Sequence, residues 1–295
     1  MIRDVMHEIQ LTEDHVDRLG KVGQDRSSLE DQESLRALRE GVERDSVLRS
    51  LGAAMRTAIH DADSLLLRNA PTGSDPSIMA LFQMVAIPSS IGNGGGFLCT
   101  VAPRAGEQDD ISDTDSEFPP HTDSTFLREP HHFVALACVE RDPHSGGESR
   151  VIYIDALRSQ IETEYGPDIL QRLAEPAYPF YLQDPLYGDG VQVVPIFTDV
   201  EGTHVMRFRY DCVEPLLAEY PQTCPEENQE ALATLKNFLG SATPHEQFTL
   251  DNGDILIFDN RRLLHARTHI TPGAVRVLQR LKGFAATGPG FEILP

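Results

Sequence analysis

The chain has 295 residues, 40% of them hydrophobic and 24% charged, enough for one large globular domain and too apolar for a disordered chain. Its net charge of −21 repels phosphate backbones and anionic lipid, so nucleic-acid binding and membrane docking are not expected. No apolar run reaches the ~18 residues of a membrane span, and the charged first 30 residues lack a secretory-signal pattern. A cytoplasmic protein is expected, with Cys99, Cys138, Cys212 and Cys224 as free or buried thiols.

Residues 1–70 read as a helical flank. Leu35, Leu38, Val42, Leu48, Leu51, Met55 and Ile59 recur at three- and four-residue intervals, and Asp45 or Ser46 can cap a helix running to about residue 60. Beyond residue 75 short β-rich runs alternate with Gly, Pro, Asn and Asp clusters. Strands are expected at about 97–101, 131–140 and 148–156, then at 191–199 and 203–211 joined by a turn at Asp199–Gly202. Residues 225–242 form an amphipathic helix, 246–260 two strands around an Asn252–Gly253 turn, and 274–286 a final strand. Short strands flanked by helices suggest a β-sandwich or jelly roll wrapped by helices. One domain spanning 1–295 is expected, with its core at about 90–285 and inserted lid segments. The acidic run 106–117 reads as a surface loop and a candidate lid.

The most suggestive motif is FPPHTDSTF, in which His121 and Asp123 are one residue apart. In an extended segment residues i and i+2 point to the same face, so an imidazole and a carboxylate can share one metal. The third ligand should come from a distant strand, and His265 in DNRRLLHARTHI, after the buried-looking GDILIFDN, is the best candidate. Two histidines and a carboxylate leave three octahedral positions open, which suits iron(II) binding a bidentate co-substrate and O2 together. Zinc is the alternative metal for the same donors. An HxD pair alone is weak, because such pairs usually decorate surfaces. Arg276 and Arg280 add weight: four apart in a strand, they share a face, among the apolar Val275, Val277, Leu278 and Leu281. An arginine on the inner side of such a strand needs an anionic partner.

With these residues in view, the chain resembles the TauD/TfdA-like superfamily, and within it most closely the clavaminate synthase-like group. The similarity spans roughly residues 90–285 and includes GGGFLCTVAPRAG, HTDSTF, PHHFVALACVERDPHSGGES, RFRYD, GDILIFDNRRLLHARTHI and RVLQRLK. The resemblance implies an α+β fold with a double-stranded β-helix (jelly-roll) core flanked by helices. It implies iron(II) on His121, Asp123 and His265, with 2-oxoglutarate and O2 as co-substrates. Arg276 matches the arginine that binds the far carboxylate of 2-oxoglutarate, and Ser149 the hydroxyl residue that assists it. Arg280 matches an arginine that binds an acidic group of the prime substrate, and Asp211 falls where amino-acid hydroxylases carry substrate-facing acids. There are departures: HxD replaces the HxE common in clavaminate-type relatives, the spacing from His265 to Arg276 is short, and Val277 replaces a common aromatic. They leave subfamily and substrate open. The retained carboxylate argues against a halogenase.

The implied function is hydroxylation of an unactivated C–H bond in a free amino acid or a small amino-acid-derived precursor, as in antibiotic pathways. The same chemistry could give desaturation, epoxidation or cyclisation, and a carrier-bound or other small anionic substrate is an alternative. A zinc hydrolase would need a general base beside the metal water, and none is obvious. A non-catalytic jelly-roll binding protein would be expected to have lost part of the ligand set. His131 and His132 read as surface or packing residues, and His144 and His269 as loop residues.

Overall fold

The computed structural model describes residues 6–24, 29, 31–90, 96–104, 111–183, 188–241 and 245–285. Strand β1 (His7–Gln10) is followed by helices α1 (Glu13–Gly23), α2 (Gln32–Arg44) and α3 (Ser46–Ala62). The Asp31 carboxylate accepts the Ser34 N–H, and the Asp45 carboxylate accepts those of Val47 and Leu48, which fixes where α2 and α3 begin. Helix α3 ends where Asp63 turns left-handed at φ 58°. Next come β2 (Ser64–Arg68), α4 (Asp75–Gln83), β3 (Ala86–Pro88), β4 (Cys99–Val101), β5 (Phe118–His121), β6 (Phe133–Arg141) and β7 (Ser149–Tyr153). Helices α5 (Ile154–Tyr165) and α6 (Pro167–Leu173) precede the strands β8 (Tyr178–Leu182), β9 (Gly190–Val194), β10 (Phe197–Val200) and β11 (Thr203–Met206). Helices α7 (Tyr210–Glu219) and α8 (Glu226–Gly240) lead to β12 (Glu246–Phe248), β13 (Ile255–Asp259), β14 (Leu263–Arg267) and β15 (Arg276–Ala285).

Two sheets carry the architecture. The larger runs β1-β2-β13-β6-β15-β3, with β4 also paired to β15, and the smaller runs β12-β7-β14-β5. Among the described residues the two sheets share no strand, so they stack rather than close into a barrel. Their facing sides make one apolar layer: Val134, Cys138, Leu256, Phe258 and Leu278 from the larger sheet meet Val151, Tyr153 and Leu263 from the smaller. The outer side of the larger sheet, including Ala135, Ile257 and Leu281, is covered by the apolar stripes of α1–α4. The outer side of the smaller sheet, through Ile152 and Leu264, is covered by α5–α8 and the β8–β11 strands. Strand alternation thus sorts each residue between the shared interior and a helical cover.

The helical flank and the final strand are as expected, but several local readings differ. Residues 1–70 also contain β1 and β2, which pair in parallel and extend the larger sheet. Leu65, Leu66 and Leu67 are all buried because this strand is covered on both faces, so it shows no alternation. The run 191–199 is not one strand: it breaks at Pro195 into β9, which pairs with β8, and β10, which pairs with β11. A proline donates no ladder hydrogen bond, and here the chain changes partner. Residues 246–260 are not a hairpin, because β12 joins the smaller sheet and β13 the larger. The turn between them carries the chain across the interior layer. The strand expected to reach residue 211 stops at Met206, and α7 begins at Tyr210. The acidic run lies outside the described residues at 106–110, and its remainder holds a 3-10 turn at Ile111–Asp113.

Arg262 ties the cover to the core. Its guanidinium is buried, pairs with Asp155 at 2.6 Å and Asp63 at 3.3 Å, and donates to the His204 carbonyl. It thereby joins the end of α3, the start of α5 and the start of β11. Replacing it leaves Asp63 buried without its counter-charge. Arg262→Met should lower unfolding stability by about 3 kcal/mol in guanidinium titrations. A change below about 1 kcal/mol would show that the clamp is dispensable.

Candidate metal centre

β5 and β14 pair antiparallel with His121 directly opposite His265. Across β14's other edge His265 pairs with Val151, a residue of the shared interior, so His265 belongs to the interior side of the sheet. Thr122 turns away: its N–H donates to the Phe208 carbonyl at 2.7 Å, and its hydroxyl accepts the Phe208 N–H at 2.9 Å. His121 and Asp123, on either side, therefore share the opposite face. One ligand atom from each of His121, Asp123 and His265 lies within 4.8 Å of the others, with both His121 and Asp123 buried. No other such group of histidine, cysteine and acid side chains occurs among the described residues.

Each imidazole is presented as a ligand would be. His121 Nδ1 is 2.8 Å from the Pro119 carbonyl, which can only accept, so Nδ1 carries the proton and Nε2 presents its lone pair. That Nε2 is buried without a hydrogen-bond partner, and so is His265 Nδ1. Burial, then the neighbouring His121, holds the His265 imidazole well below its ordinary pKa, in its neutral form. Burial alone would raise the Asp123 carboxyl, but the charges of Lys282 and Arg280 outweigh it and hold it well below the ordinary range. Two lone pairs and one carboxylate, buried and facing one point, fit a divalent cation. The His121 ring stacks on Phe118 at 3.8 Å, and Phe258 flanks His265 at 4.8 Å, which fixes both rings.

Asn260 sets the ligand loop. Its side-chain oxygen accepts the Asp123 N–H at 2.7 Å, and its amide donates to the carbonyls of Asp123 at 3.0 Å and His131 at 2.9 Å. Ser124, at φ 62°, places its hydroxyl 2.7 Å from His131 Nδ1. Burial, then Lys282, pushes the His131 imidazole down to about 3. His131 is therefore a neutral packing residue beside the centre, as its sequence position suggests.

The arginines divide into two environments. The Arg276 side chain is buried and makes no hydrogen bond or ion pair with any described residue, while Arg267 and Arg141 lie near it. Burial first, then those neighbours, push its pKa down to about 10. Gly147, at φ 67°, makes room for it: a Cβ there would sit 2.7 Å from Arg276 Cδ. An uncompensated guanidinium in such a place fits a carboxylate that the chain does not itself provide. Ser149 is buried on β7 opposite Arg267. Arg280 pairs with Leu136 across β6, on the interior side, and its Nη2 is 3.8 Å from Cys99 Sγ. Asp211 sits elsewhere, exposed in the first turn of α7 and ion-paired with Arg209 at 3.1 Å. Arg209 in turn lies over Phe118, which links Asp211 to the centre through that stack.

Sequence reasoning missed Lys282 and Asn260. Lys282 follows Arg280 by two residues, and the alternation that pairs Arg276 with Arg280 points to it as well. Asn260 carried no signal, because its role arises only where β13 ends beside Asp123. Asn260→Ala removes three hydrogen bonds from a buried loop. It should cost about 2–4 kcal/mol of unfolding stability and weaken divalent-metal binding in the same titration. Wild-type metal affinity in a destabilised variant would show that Asn260 braces the fold but not the ligands.

Residues 34–282 match the family described as taurine catabolism dioxygenase TauD, TfdA family. No curated protein matches the chain. Among solved structures, asparagine oxygenase in complex with Fe(II), 2S,3S-3-hydroxyasparagine and succinate superposes with a TM-score of 0.73 at 18% identity, covering 95% of this chain and 93% of that one. The non-heme iron oxygenase OrfP in complex with Fe and alpha-ketoglutaric acid gives a TM-score of 0.71 at 16% identity, covering 95% and 94%. OrfP with Fe, succinate and (3S)-hydroxy-L-Arg gives 0.70 at 15% identity, covering 94% and 93%.

Proposed function

Because the chain belongs to the TauD, TfdA family of dioxygenases, we propose that it is an iron(II)- and 2-oxoglutarate-dependent oxygenase that hydroxylates a C–H bond of a free amino acid or a small amino-acid derivative. One observation carries this reading: His121, Asp123 and His265 each bring a ligand atom within 4.8 Å of the others, and the buried Arg276 side chain has no anionic partner among the described residues. In this reading the two stacked sheets are the double-stranded β-helix, or jelly roll, of the family. His121, Asp123 and His265 would hold the metal. When bound, iron(II) supplies O2 activation coupled to decarboxylation of 2-oxoglutarate, and with it the oxidation of the substrate.

The protein's own part is placement. Arg276 fixes the far carboxylate of 2-oxoglutarate by a two-pronged hydrogen bond, assisted by the Ser149 hydroxyl. Arg280, on the interior side of β15, takes the carboxylate of the prime substrate. The interior layer, with Phe118 and Phe258 against the ligand histidines, keeps bulk water from the reacting atoms. Asp211 can meet a substrate ammonium only by leaving Arg209. The relatives bound to hydroxyasparagine and hydroxy-arginine support an amino-acid substrate. Desaturation or cyclisation, or a carrier-bound aminoacyl group, would use the same residues. A non-catalytic binding protein would have no need for two buried imidazole nitrogens left without partners beside a carboxylate.

Anaerobic addition of iron(II) and 2-oxoglutarate should produce a weak visible charge-transfer band that shifts when the right amino acid is added. Absence of the band at saturating metal would overturn the reading. Arg276→Ala should raise the 2-oxoglutarate dissociation constant by roughly 30-fold or more, about 2 kcal/mol of a buried charge pair. Arg280→Ala should leave that constant unchanged and raise KM for the amino acid. Unchanged KM would remove Arg280 from the substrate site.

A further inference from the structure

Lys282 is 3% exposed on β15, where it pairs with Val134 of β6 and so faces the shared interior. Its Nζ lies 3.2 Å from Asp123 Oδ2. The two oxygens of Asp123 thus face different groups, because Oδ1 is the atom near His121 Nε2, at 3.7 Å. A buried ammonium is costly unless paired, and the carboxylate beside it is also a ligand of the proposed centre. A lysine here does not simply add basicity. It places a positive charge next to the position of a dication, which weakens metal binding, so its presence needs a compensating use.

We propose that Lys282 is a positioning residue that holds Oδ2 of Asp123 by an ion pair, so that the carboxylate engages the metal through Oδ1 alone. A carboxylate free to bind through both oxygens would occupy one of the positions that the co-substrate and O2 require. Arg280 lies two residues earlier on the same side of β15, and in the proposed reading it serves the substrate carboxylate. In that reading Lys282 serves the ligand carboxylate, while Arg276 and Arg280 serve the two organic acids. This inference rests on the reading of His121, Asp123 and His265 as a divalent-metal site.

The test uses the full chain, Mn(II) alone as the probe, and no 2-oxoglutarate. Metal affinity and the number of metal-bound waters, read from electron paramagnetic resonance broadening in oxygen-17 water, are compared for wild type, Lys282→Met and Lys282→Gln. Lys282→Met should bind Mn(II) about tenfold more tightly or better, through loss of the neighbouring charge, and with one fewer bound water. Lys282→Gln keeps a donor for Oδ2 and should restore the wild-type water count. An unchanged count and affinity in Lys282→Met would overturn the inference while leaving the metal site intact. Failure of the wild type to bind Mn(II) would instead sink the metal reading, and this inference with it. Should Lys282→Met not fold, a crystal structure of the Mn(II)-loaded wild type decides. One Asp123 oxygen on the metal and the other on Lys282 supports the proposal; both oxygens on the metal, or Lys282 turned away, overturns it.

Discussion

The pairing of β14 with β5 is the constraint on which the rest of the centre depends. It sets His265 opposite His121, and the rings end 4.1 Å apart between centroids. A slip of one residue in either strand would turn one imidazole to the helical cover. The register is held from outside the ladder. Thr122 is tied to Phe208, Asn260 to Asp123, and Phe118 is stacked against His121. None of these contacts is strong alone, but each removes a freedom that the ligands would otherwise have.

The interior that results carries the opposite sign from the surface. The chain has a net charge of −21, yet Lys282 and Arg280 act on Asp123, and Arg141 and Arg267 lie beside Arg276. Arg267 donates to the backbone carbonyls of Ser112, Thr114 and Ser116, and Arg141 to Ser145 and Asp251. The Arg276 side chain has no such partner among the described residues. An excess of buried positive charge is tolerable in a site that takes up anionic ligands, and the position of each cation then says which anion it serves.

Legibility in the sequence followed the range of the interaction. The His121–Asp123 pair and the shared face of Arg276 and Arg280 are properties of extended chain, and the structure keeps them within single strands or strand ends. Turn chemistry at Asp199–Gly202 and Asn252–Gly253 was also readable, because Gly202 and Gly253 adopt positive φ. What was not readable is which sheet each strand joins. Pro195 and the 251–254 turn pass the chain from one sheet to another, and nothing local distinguishes that from a hairpin. Asp211 shows the same limit. Arg207 and Arg209 bracket a bend whose side chains are spent on Thr125, Leu127, Arg128 and Phe118, so the chain enters α7 instead of continuing a strand. Lys282 was within reach of the alternation rule, because β15 holds Leu278, Arg280 and Lys282 in step against Cys138, Leu136 and Val134.

The most direct measurement is iron(II) stoichiometry after anaerobic dialysis, on the wild-type chain and on His265→Ala. One iron per wild-type chain, and none retained by a folded His265→Ala, is the result expected of a single site built from β5 and β14. Iron retained at full stoichiometry without the His265 imidazole, or no iron on the wild type, would contradict it.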